Sequence, residues 1–251
     1  MANPISIQMY TLRDDTAQDF AGTLREVAKL GFGAVELAGY GTMTVDQLKQ
    51  ELDSLGLQVS GAHTALNRLE GDLDAVISEM KTLGSPYVIC PFLPPDRRPD
   101  AKGYATLAHL LDEIGAKCRA AGLQLAYHHH DFELQRFGDT TGLHILMNES
   151  NPDNLKAEID VYWAAVAGFE PPALLRELGD RVRRVHLKDM TPAPESTFAE
   201  VGHGVLDIPA ILQAADDIKA DWLIVEQDRC ARPALESVGM SLEYLRSLGR
   251  S

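Results

Sequence analysis

The sequence has few cysteines, no basic segment and no long apolar run, and each of these absences excludes a class of protein. Its three cysteines, Cys90, Cys118 and Cys230, are scattered and form neither a disulfide framework nor a CxxC metal knuckle. The start of the chain lacks a basic segment followed by an apolar one, so we expect a cytoplasmic protein without a signal peptide. No apolar run approaches the roughly 18 residues of a membrane-spanning helix, so no membrane association is expected.

The charge balance excludes a further class of partner. The chain carries 23 Lys and Arg against 37 Asp and Glu, which gives a formal net charge of −14. Proteins that bind DNA or RNA usually present a basic face, so we expect no nucleic-acid partner. The remaining composition, with 45% hydrophobic and 24% charged residues, is that of an ordinary globular protein. The length of 251 residues suits one large α/β domain.

A repeated pattern of helix, glycine and short apolar run organises the chain. It is visible in LGFGAVEL, LGLQVSG, LGSPYVIC, AGLQLAY and LGDRVRRVHL. Glycine commonly ends a helix because it tolerates a positive φ angle. A run of aliphatic and β-branched residues after such a signal predicts a buried strand. The preceding segments, such as TAQDFAGTLREVAKLG, have the apolar spacing of amphipathic helices.

Eight strands are predicted by this pattern. They are Ile5–Tyr10, Ala34–Ala38, Gln58–His63, Tyr87–Phe92, Leu123–His130, Leu155–Val161, Val182–Lys188 and Trp222–Gln227. Alternating strands and helices imply a parallel sheet. Eight such units in this length predict an α/β fold of the (β/α)8 TIM-barrel type, a single domain over residues 1–251. A doubly wound open sheet is the alternative, but no GxGxxG motif follows the first strand.

The barrel gives a meaning to the segment GLQLAYHHHDFEL, in which a buried strand runs into three histidines. Active sites of TIM barrels lie at the carboxyl ends of the strands. Ionisable side chains occur at the predicted ends of six strands, namely Glu36, His63, His128 to His130, Glu158 with Asp160, His186 with Lys188, and Glu226 with Asp228. These residues therefore form the candidate site.

Side-chain alternation indicates which of these groups point into the barrel. Residues i and i+2 of a strand share a face, as do Glu158 and Asp160, and likewise His186 and Lys188. The apolar Ile159 between the two carboxylates suits the helix-facing side. Carboxylates and imidazoles that converge without thiolates suit Mn²⁺, Mg²⁺, Co²⁺ or Zn²⁺. We therefore predict one divalent metal ion at this rim.

The chain resembles the xylose-isomerase-like TIM barrels of the sugar phosphate isomerase/epimerase family, relatives of inosose dehydratase and of ketose 3-epimerases. The resemblance is carried by YHHHDFEL (127–134), EIDVYWAAVAG (158–168), RVRRVHLKDM (181–190), VGHGVLDIPAIL (201–212) and DWLIVEQD (221–228), with GFGAVELAG and VSGAHTAL in the first half. These motifs are specific for the superfamily and do not specify a substrate.

The resemblance implies one metal ion, commonly Mn²⁺, with one ligand from each of strands 5 to 8. Three of these ligands carry over to this chain as Asp160, His186 and Glu226. Many relatives have a glutamate at the tip of strand 5, where this chain has His128. We expect Glu133, a few residues further on, to be the fourth ligand, with His128 as the alternative.

The implied chemistry begins with proton abstraction beside a carbonyl. A metal ion that binds the carbonyl of a sugar acidifies the adjacent carbon, because it stabilises the enediolate. Return of the proton gives epimerisation or aldose–ketose isomerisation, and loss of a leaving group gives dehydration. We predict an isomerase or epimerase of a keto sugar, sugar phosphate or cyclitol, with a dehydratase at the same metal site as the alternative. Proton transfer is assigned to Glu133, Glu226, His63 and His130.

Five residues are predicted to contact the substrate. They are His128, Lys188, Glu36, Trp163 and His203. A buried cation needs a partner, so Lys188 is expected to pair with Glu158 rather than to form a Schiff base. His203 lies in the Pro- and Gly-rich segment 189–206, which is expected to cover the barrel mouth. His129 should point outward and be structural.

Three other classes of function are weaker alternatives. An endonuclease of the apurinic-site type shares this fold but needs a basic DNA groove. A Schiff-base aldolase would need a free Lys188, and a sugar-binding barrel without catalysis would need no metal. The predicted partner is a small-molecule sugar or cyclitol, and the sequence leaves a homo-oligomer open.

Overall fold

Eight parallel strands close into a barrel in the computed structural model, which describes residues 3–250. The strands are β1 (Ile5–Gln8), β2 (Ala34–Leu37), β3 (Gln58–His63), β4 (Tyr87–Cys90), β5 (Gln124–His128), β6 (Leu155–Asp160), β7 (Val182–Leu187) and β8 (Trp222–Val225). Each strand pairs with its neighbours in chain order, and β8 pairs with β1 to close the sheet. The predicted single-domain TIM barrel is therefore confirmed.

Helices surround the barrel and alternate with its strands. They are α1 (Arg13–Gln18), α2 (Phe20–Leu30), α3 (Val45–Leu55), α4 (Leu66–Gly71), α5 (Leu73–Leu83), α6 (Ala101–Ala120), α7 (Gly142–Asn148), α8 (Val161–Val166), α9 (Pro171–Leu178), α10 (Ile208–Asp217) and α11 (Ala234–Ser247). Short 3₁₀ helices span Met9–Leu12, Pro95–Arg97, Phe132–Leu134 and Gly179–Arg181. Two short hairpins, Arg136–Phe137 with Thr140–Thr141 and Asp189–Met190 with Phe198–Ala199, lie outside the barrel. None of the helices within residues 3–250 has the length and apolar content needed to span a membrane.

The helix ends follow the signals in the sequence. The hydroxyl of Thr44 accepts the Gln47 backbone N–H, and the Gln47 side chain accepts the Thr44 N–H, which forms a capping box at the start of α3. Helix α3 ends at Gly56, whose φ of 68° lies in the left-handed region that favours glycine. Its Leu48 and Leu52 are buried against the barrel. The amphipathic pattern therefore determines which face of the helix packs on the sheet.

The interior of the barrel is divided into an apolar part and a charged part. Tyr87, Ile89 and Ala126 form a small apolar group with Trp222, separate from the large core between the sheet and the helices. The guanidinium carbon of Arg184 lies 4.8 Å from the centre of the Tyr87 ring. The charged groups described below therefore lie next to the apolar group, inside the barrel.

Gly61 provides the space for this arginine. Gly61 is paired in register with Glu36 on the neighbouring strand. A Cβ atom at Gly61 would lie 2.4 Å from Cδ1 of Ile89 and 2.9 Å from Nη2 of Arg184. A glycine in a strand often marks such a close approach. Here the absence of a side chain on β3 makes room for the long side chain from β7.

Candidate active site and metal centre

Neighbouring strands bring the predicted ionisable residues together by their register. His128 is paired with Glu158, and Asp160 with His186. All four are at most 2% exposed, and their side chains meet inside the barrel. Since inward positions in register lie side by side, the alternation in the sequence correctly predicts that these groups converge.

One group of residues has the composition of a metal site. His128, Asp160, His186 and Glu226 each offer a ligand atom within 4.8 Å of the other three, and we call this group the metal cluster. Nδ1 of His186 lies 2.7 Å from Oε2 of Glu226, and Nε2 of His128 lies 4.0 Å from Oδ2 of Asp160. Oδ1 of Asp160 accepts the backbone N–H of Tyr162, so that Oδ2 is directed to the cluster. Nitrogen and oxygen donors without thiolate suit Mn²⁺, Mg²⁺, Co²⁺ or Zn²⁺.

Lys188 is embedded among three carboxylates at the metal cluster. Its Nζ lies 2.9 Å from Oδ2 of Asp160, 2.9 Å from Oε2 of Glu226 and 2.7 Å from Oδ2 of Asp228. Burial lowers the pKa of Lys188, but these carboxylates outweigh it and hold the pKa well above its usual value. The prediction that Lys188 pairs with Glu158 is wrong, because Arg184 binds the Glu158 carboxylate. An ammonium with a raised pKa that lies against three carboxylates is also a poor nucleophile for a Schiff base.

A second set of charged groups lies deeper and is compensated internally. It consists of Glu36, His63, Glu158 and Arg184, and we call it the inner cluster. Arg184 is fully buried and donates hydrogen bonds to both Glu36 and Glu158. Nε2 of His63 lies 3.1 Å from each of these carboxylates. Nε2 of His186 lies 2.7 Å from Oε1 of Glu36 and 3.0 Å from Oε1 of Glu158, so the inner cluster orients a residue of the metal cluster.

The charge balance favours the metal cluster as the cation site. Around Lys188, the three carboxylates outnumber the ammonium and the adjacent His186 imidazole, which leaves a net negative charge. His63, His128, Glu158 and His186 could also ligate a metal, but the Arg184 guanidinium already compensates that carboxylate. Nδ1 of His128 lies 3.2 Å from Oε1 of Glu158, which leaves Nε2 as the nitrogen nearer to Oδ2 of Asp160, at 4.0 Å. Since Nε2 of His128 and the carboxylates of Asp160 and Glu226 converge at one acidic place, the donor set fits a divalent ion at the metal cluster.

The charge states of the groups in the site differ strongly. Burial lowers the pKa of His63, but the carboxylates of Glu36 and Glu158 outweigh it and raise the pKa to about 9, so the imidazole is charged at neutral pH. Burial and the Lys188 ammonium lower the pKa of His130 to about 3, so its imidazole is neutral. Burial raises the pKa of Glu226, but Lys188 and His186 hold it well below its usual range. The site therefore combines an acid, a neutral base and a carboxylate.

A cavity of about 370 Å³ opens above these groups at the barrel mouth. It is lined by Tyr10, Ala38, His63, Ala65, Pro91, His128, His130, Glu226 and Asp228. Ligand sites are usually such concave pockets, with apolar walls and a few convergent polar groups. The cavity therefore provides space for a small substrate against the metal cluster.

Glu133 lies away from the metal cluster, contrary to its predicted role as a ligand. The chain turns after β5 into the 3₁₀ helix that contains Glu133. The Glu133 carboxylate accepts hydrogen bonds from the Tyr127 hydroxyl and from the His130 backbone N–H. Tyr127 precedes His128 on the strand and points to the opposite, outer side of the barrel. His128 thus occupies the place in the cluster that was predicted for Glu133.

The other predicted residues lie at different distances from the site. His129 is buried on the outer side, where its Nδ1 accepts the Asp160 backbone N–H at 3.2 Å, as expected for a structural residue. The Trp163 ring lies 5.7 Å from the ring of His130, which lines the cavity, but Trp163 itself is not among the lining residues. The His203 ring lies 6.3 Å from the Tyr244 ring and is not among the residues that line the cavity.

Sequence reasoning missed Arg184 and gave Asp228 no role. Arg184 is two positions before His186 and therefore shares its inward face, so the same alternation rule that selected His186 could have found it. Arg184 lies in the middle of β7, whereas the predicted site residues lie at the strand ends. Asp228 follows Glu226 by two positions, and its contact with Lys188 depends on how the chain leaves β8.

Comparisons with known proteins agree with the fold. The inosose dehydratase of Geobacillus kaustophilus (strain HTA426) is 24% identical over 278 aligned positions, covering 94% of this chain and 89% of that protein. A sugar phosphate isomerase/epimerase from Parabacteroides distasonis ATCC 8503 superposes with a TM-score of 0.84 at 21% identity, covering 98% and 97% of the two chains. The IOLI protein, solved with a binding zinc atom, superposes with a TM-score of 0.78 at 16% identity, with the same coverage.

The family is established by sequence over most of the chain. The sequence model described as xylose isomerase-like TIM barrel matches residues 24–248, which include β2 to β8 and all members of both clusters. This chain therefore belongs to the xylose isomerase-like TIM barrel family.

Proposed function

We propose that this protein is a metal-dependent enzyme that abstracts a proton beside the carbonyl of a keto sugar or inosose and then eliminates water. The observation that carries this proposal is the pairing of a carboxylate, Glu226, with a charged imidazole, His63, in one cavity. Elimination needs a base for the carbon-bound proton and an acid for the departing hydroxyl. The two residues supply these roles at neutral pH.

His128, Asp160, His186 and Glu226 would hold the metal ion, and Mn²⁺ is the expected metal. When bound, the ion would polarise the substrate carbonyl and stabilise the enediolate that forms on loss of the proton. The carboxylates of Glu36 and Glu158 contact Nε2 of His186 and thereby orient its ring for this role. Nδ1 of His186 is then directed at Glu226. Such carboxylate contacts on the remote nitrogen fix the orientation of a ligating histidine. The zinc atom of the IOLI protein supports a divalent ion in this fold.

The proton steps follow from the charge states of the cavity residues. Glu226 is a carboxylate at neutral pH and accepts the proton from the carbon next to the carbonyl. His63 is an imidazolium and donates a proton to the departing hydroxyl, with its positive charge maintained by Glu36 and Glu158. Water leaves, and the site returns to its starting state when Glu226 releases its proton to solvent and His63 takes one up. The relatives named inosose dehydratase support this outcome.

Epimerisation or isomerisation is the second candidate, and His130 is the observation that favours it. The His130 imidazole is neutral, lines the same cavity and has a buried Nδ1 without a hydrogen-bond partner among residues 3–250. A second base on another side of the substrate could return the proton to a different face or carbon. The two outcomes therefore depend on which of His63 and His130 acts after the first proton transfer.

Proton exchange and water loss can be measured separately. The protein is treated with chelator, reloaded with Mn²⁺ and incubated in D₂O with a panel of inososes and keto sugars, with and without phosphate groups. Nuclear magnetic resonance reports deuterium at carbon, and mass spectrometry reports loss of water. We expect metal-dependent exchange together with water loss for an inosose or keto sugar.

Three variants assign the steps. His63→Gln should retain exchange and lose most of the dehydration, whereas His130→Gln should retain both. Asp160→Asn should lose both, because it removes a metal ligand. Exchange that persists without metal would contradict the proposal, and so would a His63→Gln variant with unchanged water loss. Epimerised or isomerised product without water loss would establish the second candidate instead.

A further inference from the structure

We propose that Lys188 is a built-in competitor of the metal ion, and that Asp228 is the partner that holds the Lys188 ammonium when the ion binds. This inference rests on the proposed metal-dependent function and concerns how the metal affinity is set. The Lys188 side chain is 1% exposed, so its ammonium has no access to bulk water as an alternative environment. The carboxylates around the ammonium must therefore hold it.

The ammonium occupies the oxygens that the ion would need. Oδ2 of Asp160 is the oxygen left free by the backbone contacts of Oδ1, and Lys188 lies 2.9 Å from it. Oε2 of Glu226 lies 2.9 Å from Lys188 and 2.7 Å from Nδ1 of His186. Two of the four proposed ligands are thus engaged by an internal cation. A metal ion can take these oxygens only if the ammonium gives them up.

Asp228 differs from the two ligand carboxylates. It lies 2.7 Å from Lys188, is 25% exposed and is not a member of the metal cluster. Its backbone carbonyl accepts a hydrogen bond from Nη2 of Arg13 at 2.7 Å, which anchors the residue at the barrel mouth. Asp228 can therefore keep the ammonium as a partner while Asp160 and Glu226 turn to the metal ion.

Electrostatics predicts whether each substitution raises or lowers the metal affinity. Two like charges a few ångströms apart in a protein interior repel strongly, and a dication doubles the repulsion that an ammonium exerts. Removing the Lys188 charge should therefore tighten metal binding. Removing the Asp228 charge should weaken it, because the ammonium then remains on Asp160 and Glu226. A lysine that merely supports the ligands by hydrogen bonding would produce the opposite sign when it is replaced.

The test compares Mn²⁺ affinities by isothermal titration calorimetry on chelator-treated protein. We expect Lys188→Met to bind Mn²⁺ at least about tenfold tighter than wild type and Asp228→Asn at least about threefold weaker. Lys156→Met is the matched control, since Lys156 lies on β6 but contacts the Asp180 carbonyl at the opposite end of the barrel. Its Mn²⁺ affinity should equal that of wild type.

Thermal melting provides a second readout that does not depend on activity. Metal-free Lys188→Met should melt below metal-free wild type, because Asp160, Glu226 and Asp228 lose the cation that they share. Saturating Mn²⁺ should restore most of the difference. If Lys188→Met does not fold without metal, Asp228→Asn tests the same inference through its weaker affinity.

The outcomes separate this inference from the proposed function. Wild type that binds Mn²⁺, with a Lys188→Met affinity that is unchanged or weaker, overturns the inference and leaves the metal site standing. An Asp228→Asn affinity equal to or tighter than wild type also overturns it. The wild-type protein and Asp160→Asn could both fail to bind Mn²⁺. That result would refute the metal-dependent function and the inference with it.

Discussion

Replacement of Arg184 by methionine tests whether the inner cluster holds the barrel together. The Arg184 side chain and the carboxylates of Glu36 and Glu158 are all fully buried, so solvent does not screen their interaction. Removing one partner of a buried ion pair costs about 3–5 kcal/mol, because the remaining charge is left uncompensated. Arg184 has two such partners, so we expect a loss of at least about 3–5 kcal/mol in the free energy of unfolding at neutral pH. This is a large part of the roughly 5–15 kcal/mol typical of a folded protein.

Equilibrium urea unfolding, followed by far-ultraviolet circular dichroism, measures the loss. Arg183→Met is the matched control, because Arg183 is the preceding residue on β7 and its side chain is 31% exposed beside Asp221. Such a partly exposed pair contributes about 0–1 kcal/mol. If Arg184→Met were destabilised no more than Arg183→Met, the inner cluster would not be the stabilising unit described above.

The pH dependence provides an independent check on the same residue. Burial raises the pKa of Glu158, but His186 and Arg184 outweigh it and hold the pKa well below its usual value. A lowered folded-state pKa gives stability that is present above the unfolded-state pKa and lost as the pH falls. Without Arg184, burial opposes the charge and part of this contribution disappears. The difference in stability between wild type and Arg184→Met should therefore shrink as the pH is lowered from about 7 towards 4.

Three further predictions concern stability. Burial raises the folded-state pKa of Glu133 to about 7, above its unfolded value, so stability should fall as the pH rises towards 7, and Glu133→Gln should flatten this slope in urea unfolding. Gly115→Ala should destabilise by about 1–3 kcal/mol, because its Cβ would lie 2.2 Å from the Asn154 carbonyl oxygen, whereas Gly71→Ala, with open space, should be neutral or stabilising, as chemical denaturation can show. Asp207→Ala should cost about 1 kcal/mol and lower the melting temperature, because it removes the hydrogen bond to the Ala210 N–H that caps α10.

The barrel was predictable from the sequence because its signals are local. Each helix stop at glycine, such as Gly56, and each apolar run after it can be recognised within about ten residues. The convergence of Asp160, His186 and Glu226 was also predictable, because alternation along a strand fixes which side chains point inward. These inferences need no knowledge of how distant parts of the chain meet.

The errors lie where the local rules end. Glu133 lies in a turn after β5, and no periodicity indicates that this turn directs its carboxylate to Tyr127 on the outer side. The partners of Lys188 depend on how deep the residues of different strands lie in the barrel. The register between the strands determines this depth, and the sequence does not show it. Glu158 is one layer deeper and is bound by Arg184 instead.

The space that Gly61 leaves for Arg184 has a consequence for rebuilding this barrel from parts. Glu36 and Gly61 come from the first four strands, and Glu158 and Arg184 come from the last four. A chimera could join either half to a half from another family member that has other residues at these positions. Such a chimera would contain a buried arginine without its carboxylates, or buried carboxylates without their arginine. Successful exchange of halves therefore requires all four positions to be transplanted as one set.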